Sequence, residues 1–255
     1  MKIIAKKKFG QNFLINKEIQ KKIIDIANVY NEKVIEIGPG LGALTFLMLD
    51  KVKYLKAYEI DNQIYSLLKQ KIKNQNFEII NENFLNAKLN EEKEIVIVGN
   101  IPYNITSDIL FKLIENHNSI KRAILMVQKE VGNRICAIPG TKEYSKLTVS
   151  LNCIANCKKE LTVLAKEFDP IPKVDSMVVS INFDKELEFD LISFLNFIKK
   201  IFQYKRKTLL NNINQFYSKE KILNSLNKLS LNINIRSEEL DITTIKNLYT
   251  LLENH

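Results

Sequence analysis

Apolar residues recur at helical spacing across EIQKKIIDIAN (18–28), and the following short apolar run, VIEIG (34–38), has the length and continuity of a buried strand. The two patterns then alternate. LKAYEI (55–60) reads as a strand, IYSLLKQKI (64–72) as a helix, FEII (77–80) and EIVIVGN (94–100) as strands, SDILFKLIEN (107–116) as a helix and AILMVQ (123–128) as a fifth strand. Strands separated by helices of this length predict right-handed crossovers and a parallel sheet with helices on both faces. Residues 144–155 fit helix and strand equally, whereas KELTVLA (159–165) and SMVVSINF (176–183) alternate like antiparallel strands joined by the two-proline loop KEFDPIPKVD. From about residue 186 only helical periodicity remains, in LISFLNFIKKIF (191–202), SKEKILNSLNKL and TIKNLYTLLE. The expected architecture is an α/β domain over residues 1–184 and a small all-α domain over 185–255.

A chain of 255 residues with 45% apolar content can bury a substantial core. The formal charge of +9 makes a polyanion the expected partner, with nucleic acid the first candidate. Cys136, Cys153 and Cys157 form no CxxC pair, and with only His117 and His255 to help them no metal site is expected. Three scattered thiols fit a reducing compartment. MKIIAKKK has too short an apolar run for a signal peptide, and no run approaches the length of a membrane span, so a cytoplasmic protein away from the membrane is expected.

EIGPGLGALT (36–45) follows the first strand and opens a helix, the place where such sheets hold a nucleotide-type ligand. Gly38, Gly40 and Gly42 let the backbone approach that ligand closely, and Glu59, ending the second strand, is placed for both hydroxyls of a ribose. The loop also satisfies a GxGxxA pattern, so a nicotinamide or flavin dinucleotide competes with S-adenosylmethionine. The final antiparallel strand pair resembles the methyltransferase version of the sheet and tilts the choice.

At the end of the fourth strand stands GNIPYNIT (99–106), in the same crevice as the glycine loop. The exocyclic amine of adenine is a poor nucleophile because its lone pair is delocalised into the ring. An amide oxygen from Asn100, with the main-chain carbonyl of Ile101 or Pro102, can accept both N6 hydrogens and localise that pair. Pro102 donates no ladder bond and restricts the residue before it, while Tyr103 offers a face on which a base can stack. Such a base must be unstacked or single-stranded to enter.

Through KKFGQNFL, EIGPGLGALT, YEID, GNIPYNIT, MVQKEVGNRI, KEYSKLTV, FDPIPKVDS and KRKTLLNN, from about Lys7 to Arg236, the chain resembles the small-subunit ribosomal RNA adenine N6,N6-dimethyltransferases of the KsgA/RsmA type. The resemblance implies a Rossmann-like methyltransferase sheet followed by a helical RNA-binding domain. It also implies methyl transfer from S-adenosylmethionine to two adjacent adenosines in the 3′-terminal hairpin of 16S-type rRNA, within an immature small subunit. Carried over by position, Asn12 and Leu14 close over the methionine end of the cofactor, Gly38 lies beneath it, and Glu59 takes the ribose. Asn100, Pro102 and Tyr103 handle the target amine, Asn100 also bordering the cofactor, and Phe168 supplies a second aromatic face for the base. The family's usual aspartate after the third strand is here Asn83, whose amide accepts from the cofactor adenine without charge assistance.

Seven lysines against one glutamate in residues 1–22, and five positive charges in KKIFQYKRK (199–207), fit an enzyme that must hold phosphates. Two other readings share these motifs. One is a large-subunit rRNA adenine dimethyltransferase of the macrolide-resistance type, and the other is an assembly or transcription factor using the fold as a platform. The small basic module suggests a particle-sized substrate and a monomeric enzyme.

Overall fold

Seven strands make one mixed sheet in the computed structural model, which describes residues 5–6 and 9–253. They are β1 (Lys33–Ile37), β2 (Tyr54–Tyr58), β3 (Phe77–Ile80), β4 (Ile95–Asn100), β5 (Ile120–Gln128), β6 (Asn156–Val163) and β7 (Ser176–Asn182). Their order across the sheet is β3-β2-β1-β4-β5-β7-β6; β1 to β5 are parallel, and β7 runs antiparallel to both of its neighbours. The alternating patterns in the sequence therefore correspond to an α/β sheet of the expected kind. Strand order reverses at β1, and the crevice at such a switch point is where open α/β sheets hold ligands.

Residues level with one another at that crevice follow from the register. Ile37 pairs with Tyr58 on one side and with Gly99 on the other, so the next residues, Gly38, Glu59 and Asn100, emerge side by side. The last main-chain bond there runs from the Ile101 N–H to the Met126 carbonyl at 2.9 Å, and Pro102, with no N–H to donate, lets the chain leave the sheet. Val96, Ile97 and Val98 behind it are fully buried.

Helix α1 (Lys17–Ala27) begins at Asn16, whose side chain accepts from the Glu18 and Ile19 N–H groups, and ends on Asn28 in the left-handed conformation. Helix α2 (Thr45–Met48) follows the glycine loop, and α3 (Asn62–Lys71) is capped by Asp61. Helix α4 (Thr106–Glu115) follows the β4 motif. A two-residue antiparallel ladder pairs Phe13 with Asp169 and Leu14 with Phe168, tying the amino-terminal leader to the proline loop. The leader lysines Lys2, Lys7 and Lys8 lie outside the described residues.

The chain divides into two compact units, residues up to Gly132 with Asn156–Asp184, and Asn133–Ala155 with Lys185 onward. The break at 184 falls where the composition shift puts it, but residues 133–155 group with the helical unit and not with the sheet, which corrects the continuous 1–184 division. Helix α5 (Lys129–Ile135) carries the chain from one unit into the other, and α6 (Lys146–Asn152) resolves the ambiguous stretch as helix. Its apolar run reads equally as a strand because Leu147, Val149 and Leu151 are all buried. The second unit also contains α7 (Leu191–Ile201), α8 (Leu209–Ile213), α9 (Lys219–Lys228) and α10 (Ile242–Glu253). Phe194 and Phe197 of α7 meet Tyr249 of α10 edge-on at 5.2 and 5.4 Å, and the Tyr144 hydroxyl donates to the Leu240 carbonyl at 2.8 Å. Among the described residues no helix is long and apolar enough to cross a membrane.

Candidate active site

At the carboxyl ends of β1, β2 and β4 the sheet opens into a cavity of about 390 Å³, within the range of small-molecule sites. It is lined by the leader from Phe9 to Ile15, the glycine loop, Tyr58 to Ile60, Glu82 to Phe84, Asn100 to Ile105, and Met126. Asn12, Leu14, Gly38, Glu59, Asn83, Asn100, Pro102 and Tyr103, expected from the sequence to form the site, are thus brought together around one space.

Gly38 has a φ of +62°, a conformation that side chains rarely adopt, and a Cβ built there meets nothing within 4 Å. It would project into the open space. Gly40 is different: a Cβ would lie 3.2 Å from the Phe13 ring, so the leader packs directly on the loop. Glu59 is only 4% exposed. Its Oε1 accepts from the Asp61 N–H at 2.8 Å and its Oε2 from the Gly40 N–H at 3.4 Å. Burial is the main cause that holds its carboxyl above the ordinary value, against these donations.

The Asn100 amide is held by the leader, Nδ2 donating to the Asn12 carbonyl at 2.9 Å, which leaves Oδ1 as its acceptor. The Pro102 carbonyl takes the Ile105 N–H at 3.2 Å and the Thr106 hydroxyl at 3.1 Å. Tyr103 shares a 2.9 Å hydrogen bond between its hydroxyl and that of Ser176, the first residue of β7. Burial, outweighing that bond, raises the phenol's pKa and keeps it protonated. Asn12 donates from Nδ2 to the Gly10 carbonyl at 3.2 Å, and Asn83 Oδ1 accepts from the Leu85 N–H at 3.0 Å, capping a short helical turn at Phe84–Asn86.

Phe168 is the exception. It is 1% exposed, belongs to the apolar core that includes Leu14, Val163 and Val178, and does not line the cavity. The ring is thus not among the expected site residues that the structure brings around the cavity. Its backbone pairing with Leu14 directs it among aliphatic neighbours, where it is shielded from water.

Residues 3–254 match the family profile described as Ribosomal RNA adenine dimethylase. The chain belongs to that family. The ribosomal RNA small subunit methyltransferase A of Metamycoplasma arthritidis is 54% identical over 254 residues, covering 100% of this chain and 98% of that protein. The protein of the same name from Fusobacterium nucleatum is 40% identical, covering 99% of each. A crystal structure of a dimethyladenosine transferase from Plasmodium falciparum superposes with a TM-score of 0.84 at 29% identity, covering 92% of this chain and 95% of that one. A 23S rRNA methyltransferase, ErmE, shares the fold at a TM-score of 0.76 and 24% identity, covering 95% of this chain and all of that one.

This adenine dimethylase also carries site residues that sequence reasoning left without a role. Glu36, inside β1, is 2% exposed, lines the cavity, and accepts from the Thr45 hydroxyl at 2.7 Å. Burial chiefly, with the charge of Glu59 added, lifts its carboxyl to about 8. The signal was a single acid in the otherwise apolar run VIEIG (34–38). Tyr58 and Phe84 pack edge-to-face with ring centres 5.8 Å apart and form an apolar wall. Buried Glu59 beside open glycine backbone suits a ligand that presents the hydroxyls of a ribose to an acceptor. S-adenosylmethionine, the methyl donor of the family, is such a molecule.

Proposed function

We propose that the chain dimethylates N6 of two adjacent adenosines in the 3′-terminal hairpin of 16S rRNA, within an immature small ribosomal subunit and as a monomer. The observation that carries this reading is the register that aligns Gly38, Glu59 and Asn100 on one cavity, in a chain whose family acts on rRNA adenine. S-adenosylmethionine supplies a methyl group already activated by its sulfonium charge. Gly38 gives it room, Glu59 accepts from the ribose, Asn83 from the adenine, and Asn12 and Leu14 cover the methionine end.

The protein's own part in the transfer is alignment. Asn100 Oδ1 and a main-chain carbonyl accept the two N6 hydrogens, so the nitrogen lone pair is localised and aimed at the methyl carbon. Because the Pro102 carbonyl already receives two donors, the Ile101 carbonyl is the better second acceptor. Tyr103, held by Ser176, presents a ring for the extruded base, a contact worth roughly 1–3 kcal/mol. As the new N–C bond forms, the methyl–sulfur bond breaks with its electron pair left on sulfur as a neutral thioether, and the N6 proton, now acidic, leaves to water, so no side chain need act as base.

Radiolabelled methyl transfer to under-methylated small subunits, followed by mapping of the modified nucleotides, tests the assignment. Two adjacent dimethylated adenosines near the 3′ end are expected. Label on a large-subunit adenosine overturns the target, and no label in rRNA favours the platform reading.

A further inference from the structure

Asp61 does not line the cavity and has no part in the chemistry above, yet its carboxylate is held more heavily than helix capping requires. Oδ1 accepts from the Gln63 N–H at 3.0 Å, which is the cap, and also from Lys6 Nζ at 2.7 Å. Oδ2 accepts from Gln11 Nε2 at 3.1 Å. Lys6 and Gln11 are joined in turn, the Lys6 N–H donating to Gln11 Oε1 at 2.7 Å. The Asp61 side chain is 0% exposed and that of Lys6 33%, so this is a half-buried ion pair on the leader. A serine or asparagine would cap α3 equally well, so capping accounts for neither the charge nor the second oxygen.

The partners have a clear geographical sense. Lys6 precedes, and Gln11 lies within, the leader segment that lines the cavity from Phe9 to Ile15, while the Asp61 N–H holds Glu59. Farther along, the leader is tied by Asn12 to Asn100, by the Ile15 N–H to the Glu167 carbonyl at 2.9 Å, and by Asn16 Nδ2 to the Glu167 carboxylate at 2.7 Å. The distal fastenings at Asn12 and Ile15 use main-chain groups. At Asp61 the leader is held through side chains alone.

Resting on the S-adenosylmethionine reading above, we infer that Asp61 is a positioning residue and Lys6 its latch. Together they hold the amino-terminal strap across the cavity so that Asn12 and Leu14 meet the bound donor while Glu59 stays aligned for the ribose. Asp61 acts through those residues and does not touch the reacting atoms.

Calorimetric titration of S-adenosylmethionine into the full chain tests the latch without any RNA. Lys6→Met is expected to weaken donor binding on the order of tenfold, the scale of one partly screened charged hydrogen bond. Lys6→Arg, which keeps the charge, restores most of the affinity. Asp61→Asn keeps a cap acceptor, gives a similar loss, and adds little when combined with Lys6→Met. In transfer assays the loss falls on KM for the donor, with kcat close to that of the unaltered enzyme, a split that a general structural defect would not produce. Equal affinity in Lys6→Met, or a loss lying in kcat instead, overturns the inference. Failure of the unaltered chain to bind the donor overturns the cofactor assignment itself.

Discussion

An acid at the centre of a buried strand is destabilising whenever it is charged, and Glu36 meets that situation by titrating near 8 rather than at the ordinary 4.5. A folded-state pKa above the unfolded value means that this group favours the fold fully below about 4.5, and that the contribution is lost as pH rises through about 8. Glu36→Gln removes the dependence. Thermal unfolding of the ligand-free protein between pH 5 and 8 will show the glutamine variant gaining on the unaltered one, on the order of a few kcal/mol across the range. Parallel stability curves would contradict the assignment. Asn100→Ala should lower single-turnover methyl transfer by about two to three orders of magnitude, the scale for losing one preorganised polar group, with the circular dichroism spectrum retained. That Asn100 and Tyr103 border the cavity was legible because an amide and a phenol stand together at the end of an apolar strand. The burial of Phe168 was not, since a phenylalanine looks the same in sequence whether it faces a base or a core.

Glycine positions that look equivalent in the sequence separate once the surrounding elements are known. At Gly99 in β4 an added Cβ would lie 2.9 Å from the Ile37 carbonyl of β1, a backbone atom that cannot swing aside. Gly99→Ala is expected to destabilise the protein by about 1–3 kcal/mol, measured by denaturant unfolding, through strain between two central strands. Gly38→Ala meets no neighbour and should cost only about 1–2 kcal/mol of backbone strain, while its methyl enters the donor's space and weakens S-adenosylmethionine binding disproportionately. A Gly38 variant that binds the donor normally would remove this loop from the site. The alternating patterns gave the strands of the sheet to within a few residues, because buried parallel strands are unbroken apolar runs. The Phe13–Leu14 ladder and α5 escaped because two residues make no period, and seven polar-rich ones resemble a loop.

For the molecule as a whole, net charge and substrate belong together. In the 204–207 turn, Lys205 Nζ donates to the Lys142 carbonyl at 2.8 Å and Lys207 sits 4.3 Å from the Tyr204 ring centre, so this basic run is ordered by its own unit. Replacing Lys205, Arg206 and Lys207 with neutral residues should reduce the slope of log affinity for rRNA against log salt by about two to three, with donor affinity unchanged. An unaltered slope would place the phosphate contacts elsewhere. That residues 133–155 belong with the helices was not readable from pattern, because only three-dimensional contacts reveal that a unit is made of two stretches of chain. This arrangement bears on synthesis. As the chain emerges from its amino terminus, Val149, Leu151 and Ile154 are made before the aromatic side chains of α7 that complete their unit, so they wait with apolar surface exposed until the final helices arrive. A chain stopped at Asp184 would never close that surface, and its natural fate is aggregation or proteolysis.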